Sequence, residues 1–166
     1  IVNEHMSNTA HRITVSGSNV VNAKIEHKFV HCEDTEKFHV LLQFLNSVKG
    51  QRGIVFCRTR NTAKKVATQL IAKNVAADAI HGDLLQKERD KVMRAFKNEN
   101  LSIIVATDIA ARGIDVPDLT FVVHYQLPDQ DEYYTHRSGR TARAGKEGVS
   151  LVLANTYEIK KIRNYE

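Results

Sequence analysis

The sequence predicts an α/β domain: an open, mostly parallel sheet with helices on both faces. Three observations predict it. Strand-like and helix-like segments alternate from about residue 25 to residue 153. Several of the strand-like segments are short and wholly apolar, as strands buried on both faces are. Polar turns follow directly on three of them, and in such sheets ligands bind beyond the carboxyl ends of the strands.

The elements follow in order. Ile25 to His31 reads as a strand, and Asp34 can N-cap a helix carrying Phe38, Leu41, Leu42, Leu45 and Val48. Ile54-Val55-Phe56-Cys57 is a buried strand. Asn61 can cap a helix with Ala63, Val66, Ala67, Leu70 and Ile71 on one stripe. Val75 to Ile80 is the next strand, and residues 85–97 form a helix with Val92 and Phe96 inward. Ser102 to Ala106 and Phe121 to Tyr125 are further strands. Asp131 can cap a helix that runs into an arginine-rich segment, and Val149 to Leu153 closes the set. Residues 1 to about 22 are polar and rich in small side chains, and read as a linker or the tail of a preceding domain. The folded domain is expected over 23–166, and both ends read as those of a piece of something longer.

Bulk properties narrow the function classes. The 166 residues suffice for one domain with a real core, and 42% hydrophobic with 26% charged residues suits a globular chain. No apolar run approaches the roughly 20 residues that span a bilayer, so no membrane partner is expected. Ile1 to Ala10 lacks a basic stretch followed by an apolar one, so no signal peptide is expected. Cys32 and Cys57 stand alone without C-x-x-C spacing, which argues against a disulfide framework or a metal site and suits a reducing, cytoplasmic location. A net charge of +5 and a pI near 9.3 are compatible with a polyanionic partner.

The residues in the polar turns carry the chemistry. Arg58-Thr59-Arg60, His81-Gly82-Asp83 and Thr107-Asp108 each follow a strand end and so share one sheet edge. Thr59 and Thr107 can bond phosphate oxygens through hydroxyl and backbone N–H, or simply satisfy their turns. Gly82 either admits a ligand close to the backbone or supplies a left-handed turn. Arg89 lies on or beside the core-facing stripe with Leu85, Val92 and Phe96, and Gln86 is one turn before it. It either snorkels to the surface or contacts a phosphate.

The segment from His136 to Lys146 carries four Arg or Lys among eleven residues. If its helix continues, His136, Arg140 and Arg143 share one face, where stacked cations repel unless an anion joins them. Arginine offers a planar fork suited to phosphate, which favours anion binding over a solvated basic face. Asp115 is an acid beside this cluster, placed for a structural ion pair or a ribose hydroxyl. Gly139 to Lys146 superficially resembles a phosphate-binding loop, but its spacing is wrong by one residue and Glu147 stands where Ser or Thr must hold magnesium.

Taken together these segments resemble the motifs of DEAD-box ATP-dependent RNA helicases. Ile54 to Arg60 is similar to motif IV, Gln86-Lys87-Glu88-Arg89 to the Q-x-x-R element, Thr107 to Asp115 to motif V, and His136 to Arg143 to motif VI, H-R-x-G-R-x-x-R. The resemblance covers about Ile25 to Leu153, in the family's order and spacing. Ala142 departs from it where many members have Gly, and Arg58 stands where others often carry a polar or acidic residue. The resemblance implies the C-terminal RecA-like lobe of a two-lobe machine. Arg140 and Arg143 would be arginine fingers to the γ-phosphate of ATP, and Asp115 would meet the ribose. Gly113 would lie on the nucleotide side with Arg112, while Arg112 and His136 would help couple the lobes. Thr59, Gly82, Gln86, Arg89 and Thr107 would grip the RNA sugar–phosphate backbone without reading sequence. The partners implied are RNA and an N-terminal RecA-like lobe of the same chain, which would hold Mg²⁺ and most of the ATP. Two other classes compete: a nucleic-acid-binding module without catalytic partnership, and a DNA-directed motor of the same superfamily.

Overall fold

A computed structural model describes residues 10–12, 24–114, 119–142 and 146–162. Its elements are β1 (Ala10–Arg12), β2 (Lys24–His31), α1 (Lys37–Ser47), β3 (Gly53–Cys57), α2 (Arg60–Ala72), β4 (Ala77–Ile80), α3 (Gln86–Lys97), β5 (Ile103–Thr107), α4 (Asp108–Ala111), β6 (Phe121–His124), α5 (Asp131–Ser138), β7 (Glu147–Ala154) and α6 (Thr156–Ile162). They form one sheet in the order β1-β2-β7-β6-β3-β5-β4. The six strands from β2 to β4 in that order pair in parallel, and β1 joins antiparallel. Ala10–Arg12 falls within the stretch expected as a linker, and it extends the sheet by one edge strand against Lys28–Val30.

Period-two alternation splits the core between the two faces. Val55 and Cys57 pack with Val40, Leu41, Phe44, Val66 and Leu70 under α1 and α2. Ile54 and Phe56 pack on the other face with Val92 and Phe96 of α3 and with Ala110 of α4. Every residue of β3 and β5 is buried, which is why both read as unbroken apolar runs. Phe56, Phe96 and Phe121 are each at most 1% exposed, and burying such a side chain contributes about 1.5–3 kcal/mol.

Helix starts differ from the expected ones. Thr59, not Asn61, is the N-cap of α2: its Oγ1 accepts the Thr62 N–H at 3.2 Å. Asp34 does not cap α1, whose N-cap is Glu36 without a side-chain bond. Tertiary structure claims Asp34 instead. It accepts from Asn155 Nδ2 at 2.9 Å and lies 3.5 Å from Lys37 Nζ. Lys37 is drawn inside by Glu158, 2.6 Å away, and by the Tyr125 carbonyl at 2.9 Å. Glu158 belongs to a capping box at the start of α6. Asn155 Oδ1 accepts the Glu158 N–H at 2.8 Å, and Glu158 Oε1 accepts the Asn155 N–H at 3.3 Å.

One close approach shapes the site. A Cβ on Gly148 of β7 would collide with the Thr141 side chain, so the glycine lets the turn after α5 lie directly on the sheet. On the edge strand β4, Asp78 Oδ1 accepts the Ala79 N–H at 2.8 Å, a carboxylate occupying an edge-strand donor. No helix among the described residues is long and apolar enough to cross a membrane.

Candidate functional site

Parallel pairing brings the carboxyl ends of β3, β4, β5 and β6 to one edge, at Cys57, Ile80, Thr107 and His124. The three polar turns therefore lie together there. The first two are tied directly. Asp83 accepts from Arg60 Nη1 at 2.8 Å and from Lys64 Nζ at 2.9 Å. The Lys64 bond, followed by the charge of Arg60, holds the Asp83 carboxyl below its ordinary range. His81 is buried and accepts the Asp83 N–H on Nδ1 at 3.2 Å. Desolvation, aided by Lys64, lowers its pKa and matches an acceptor nitrogen. Gly82 is exposed between them. It is not among the residues with positive φ, so the left-handed reading of Gly82 does not hold. Nothing lies within 4 Å of where its Cβ would be, so the backbone there is open to a close approach.

Thr59 is exposed and spends its hydroxyl locally, accepting from Thr62 N–H and donating to Thr62 Oγ1 at 3.0 Å. Gln86 is exposed and donates to Asp90 at 2.9 Å. Arg89 is half-buried, and its Nη2 donates to the Ala110 carbonyl at 3.0 Å. That bond ties α3 to α4, a short helix that the sequence pattern did not reveal. Thr107 is the N-cap of α4, with Oγ1 accepting the Ala110 N–H at 3.4 Å.

Arg137 is the residue that sequence reasoning left without a role. It is 1% exposed. Its Nε and Nη2 donate to Asp108 Oδ1 and Oδ2 at 2.6 and 2.7 Å, and its Nη1 donates to the Gln126 carbonyl at 2.7 Å. The guanidinium also lies 5.1 Å from the centre of the Phe56 ring. A side-on fork of this kind fixes α5 against α4 in position and angle. Only one signal pointed to it: Arg137 lies off the face expected for His136 and Arg140, so it turns inward.

The expected continuous helix past Ser138 does not form. α5 ends at Ser138 with Gly139 as C-cap, and Thr141 Oγ1 donates to the Leu119 carbonyl at 2.7 Å. Arg140 thus sits in a turn rather than on a helical face. Its Nη1 donates to the Ile114 carbonyl at 2.7 Å. His136 and Arg112 are exposed, and with Asp108, Arg137 and Arg140 they line a concavity of about 60 Å³. Gly113 beside them has φ +78°, a left-handed position that favours glycine. Asp115 and Arg143 lie outside the described residues. Among the described residues no group of three His, Cys, Asp or Glu is placed to hold a metal ion.

Beneath the arginines is a polar cluster. His124 is fully buried, with Nε2 2.8 Å from Ser150 Oγ, and Ser138 Oγ lies 2.9 Å from the same hydroxyl. Tyr134 stacks on His124 at 4.6 Å between ring centres, and its hydroxyl is 2.8 Å from His27 Nδ1. Desolvation holds His124 well below the ordinary histidine range, so it is neutral at pH 7. The cluster seats α5 on β6 and β7.

Comparison with known proteins adds the family. Residues 36–145 match the helicase conserved C-terminal domain. A probable ATP-dependent RNA helicase of Methanocaldococcus jannaschii is 44% identical over 146 residues, covering 88% of this chain and 40% of the relative. The chain therefore spans about 40% of that relative's length. The crystal structure of a DEAD box protein from Methanococcus jannaschii superposes with a TM-score of 0.81 at 45% identity, over 87% of this chain and 40% of that one. Escherichia coli SrmB, a DEAD-box protein bound to regulator of ribonuclease activity A, gives 0.77 at 28% identity over 88% and 86%. Saccharomyces cerevisiae Dbp5 bound to RNA and ADP BeF3 gives 0.74 at 27% identity over 87% and 40%. The chain belongs to the helicase conserved C-terminal domain family, as a RecA-like lobe of the DEAD-box type.

Proposed function

We propose that this chain is the C-terminal half of an ATP-dependent RNA helicase in a cytoplasmic protein, with residues 23–166 as the lobe and residues 1–22 leading into it from the first lobe, Ala10–Arg12 of that lead pairing with the lobe's sheet. One observation carries the proposal. His136, Arg112 and Arg140 converge on a concavity of about 60 Å³ at the carboxyl edge of the sheet, whereas a pocket that encloses a ligand measures about 300–1,000 Å³. The cationic surface suits the anionic end of a nucleotide held mainly by another domain.

In this reading Arg140 and Arg143 stabilise charge on the γ-phosphate, and Asp115 meets the ribose beside Arg112 and Gly113. His136 and Arg112 contact the first lobe. The Arg140 bond to the Ile114 carbonyl orients the guanidinium before the nucleotide arrives. Magnesium would be held by the first lobe, since Asp108, the acid among the described lining residues of this concavity, is already engaged by Arg137. ATP supplies the transferable phosphoryl group. Phosphoryl transfer is catalysed by positioning and charge stabilisation, and an arginine finger supplied across an interface gives about 10³–10⁵ in rate. Hydrolysis then depends on lobe closure.

RNA lies on the other half of the edge. Open backbone at Gly82, exposed Thr59 and Gln86, and the N-terminal end of α3 suit a sugar–phosphate strand. Arg89 and Thr107 stand behind them and join this surface to α4. A strand gripped by both lobes and bent cannot stay in an A-form duplex, so local separation follows.

The test is made on the whole parent protein. ATP hydrolysis is expected only with RNA present. Arg143→Ala is expected to abolish hydrolysis while RNA binding largely survives. Normal turnover by that variant defeats the finger assignment, and robust ATPase from residues 1–166 alone defeats the half-site.

A further inference from the structure

Between β6 and α5 the chain passes through Tyr125-Gln126-Leu127, a segment to which none of the roles above is assigned. Both flanks of Gln126 are anchored. The Tyr125 N–H donates to the Phe56 carbonyl at 2.9 Å, and Lys37 Nζ donates to the Tyr125 carbonyl at 2.9 Å. The Leu127 N–H donates to Glu158 Oε2 at 2.8 Å. Lys37 and Glu158 are buried and bonded to each other, so these anchors belong to the rigid core. Gln126 itself is half-buried and faces two functional segments at once. Its side-chain Oε1 accepts the Arg58 N–H at 2.8 Å, in the turn that leads to Thr59. Its backbone carbonyl accepts Arg137 Nη1 at 2.7 Å. Arg137 in turn grips Asp108 through both carboxylate oxygens. A chain of hydrogen bonds thus runs from Arg58 through a single residue, Gln126, to the Arg137–Asp108 pair.

We propose that Gln126 is a positioning residue that couples the Arg58-Thr59-Arg60 turn to the Arg137–Asp108 pair, so that a polyanion seated on the first shifts the second. The proposal rests on the reading that this turn meets RNA. The link at Arg58 is made by a side-chain amide, so it can be removed without touching either functional segment. Other ties between the two regions are the pairing of Cys57 with Thr107 and the Phe56 ring against Arg137, both in the rigid core, and one weaker surface contact. Arg58 Nη1 is 3.6 Å from Asp129 Oδ1, with side chains 41% and 70% exposed, and an exposed pair at that distance transmits little.

Position between two sites does not by itself show coupling, so the experiment measures the transmitted response. Nitrogen-labelled residues 1–166 are titrated at low salt with single-stranded oligouridylate. In the unaltered chain the amides of 58–60 and the Arg137 Nε–H are expected to shift with the same midpoint. Gln126→Leu keeps the size and removes the acceptor. It is expected to retain the first response and lose most of the second. Gln126→Glu restores an oxygen acceptor and is expected to restore the second response, a rescue that a purely structural role would not produce. Asp129→Asn is expected to leave both responses in place. An undiminished Arg137 response in Gln126→Leu overturns the coupling while sparing the RNA reading. Shifts at 58–60 without any at Arg137 in the unaltered chain also overturn the coupling, and need no variant to fold. Silence at 58–60 in the unaltered chain overturns the RNA reading itself.

Discussion

The two halves of the polar sheet edge are built on different principles. Around the starts of α2 and α3 the side chains are exposed, and they bond to near neighbours on their own helix, Thr59 to Thr62 and Gln86 to Asp90, or form exposed ion pairs, Arg60 and Lys64 with Asp83. Around α4 and α5 the bonds span the chain: Arg137 to Asp108, Arg140 to the Ile114 carbonyl, Arg89 to the Ala110 carbonyl. Three guanidinium groups thereby brace a stretch of seven residues, 108–114. The first half is adaptable, and a ligand there displaces mainly local contacts and water, with the Gln126 link the one proposed route onward. The second is set in advance, which is what stabilising charge at one fixed point requires. A strand of varying sequence suits the former, and a phosphoryl group of invariant geometry suits the latter.

Arg137→Ala strikes the braced half hardest. It strips Asp108 of both its bonds and leaves the Gln126 carbonyl without its donor. Removing one partner of a buried pair costs about 3–5 kcal/mol. Asp108 is 18% exposed on its side chain and regains some water, so the lower part of that range is expected. Urea unfolding of the chain checks it. A loss below about 1 kcal/mol, the scale of an exposed pair, would erase the contrast between the halves.

This contrast also marks what could be read from the sequence. The parallel sheet was legible because β3 and β5 are buried along their whole length, and the positions of the three turns followed from it. Adaptable residues were legible too, since Thr59, Gly82 and Gln86 sit beside strand or helix ends whose chemistry is local. The braced half was not. Arg137 and Asp108 are 29 positions apart, and no local pattern encodes their bond. α4 has four residues, too few to show a helical period. The end of α5 is set from outside the helix: Gly139 keeps right-handed angles, and Thr141 is held by the distant Leu119 carbonyl. Asp34 and Asn61 were reasonable caps by chemistry, but a buried lysine claimed one and the end of β3 placed Thr59 ahead of the other.

Ala142 offers a finer test of the braced half. Its φ is +60°, and it is buried where the turn meets Gly148. Left-handed backbone costs a residue with a Cβ about 1–2 kcal/mol, and this accounts for the glycine that many relatives are expected to have there. Glycine loses about 0.5–1 kcal/mol more to chain entropy on folding. Ala142→Gly is therefore expected to stabilise the lobe by about 0.5–1 kcal/mol, the difference between those terms. A decrease in thermal midpoint would mean that the methyl contact outweighs the strain.

A test of the adaptable half lies at Leu85. This leucine is the N-cap of α3, 60% exposed and without a side-chain bond to the helix. A polar cap satisfies a donor that leucine cannot, worth about 0.5–2 kcal/mol and typically near 1. Leu85→Ser and Leu85→Asp are both expected to raise stability, by similar amounts in thermal unfolding. Their RNA affinities should then part. Serine adds no charge and should leave binding near its starting value. Aspartate places a carboxylate beside the surface proposed for phosphates and should weaken binding several-fold at low salt, with the gap closing as salt rises and screens it. Equal RNA affinity for the two variants would show that the strand does not pass the start of α3, and would confine its path to the Thr59 turn.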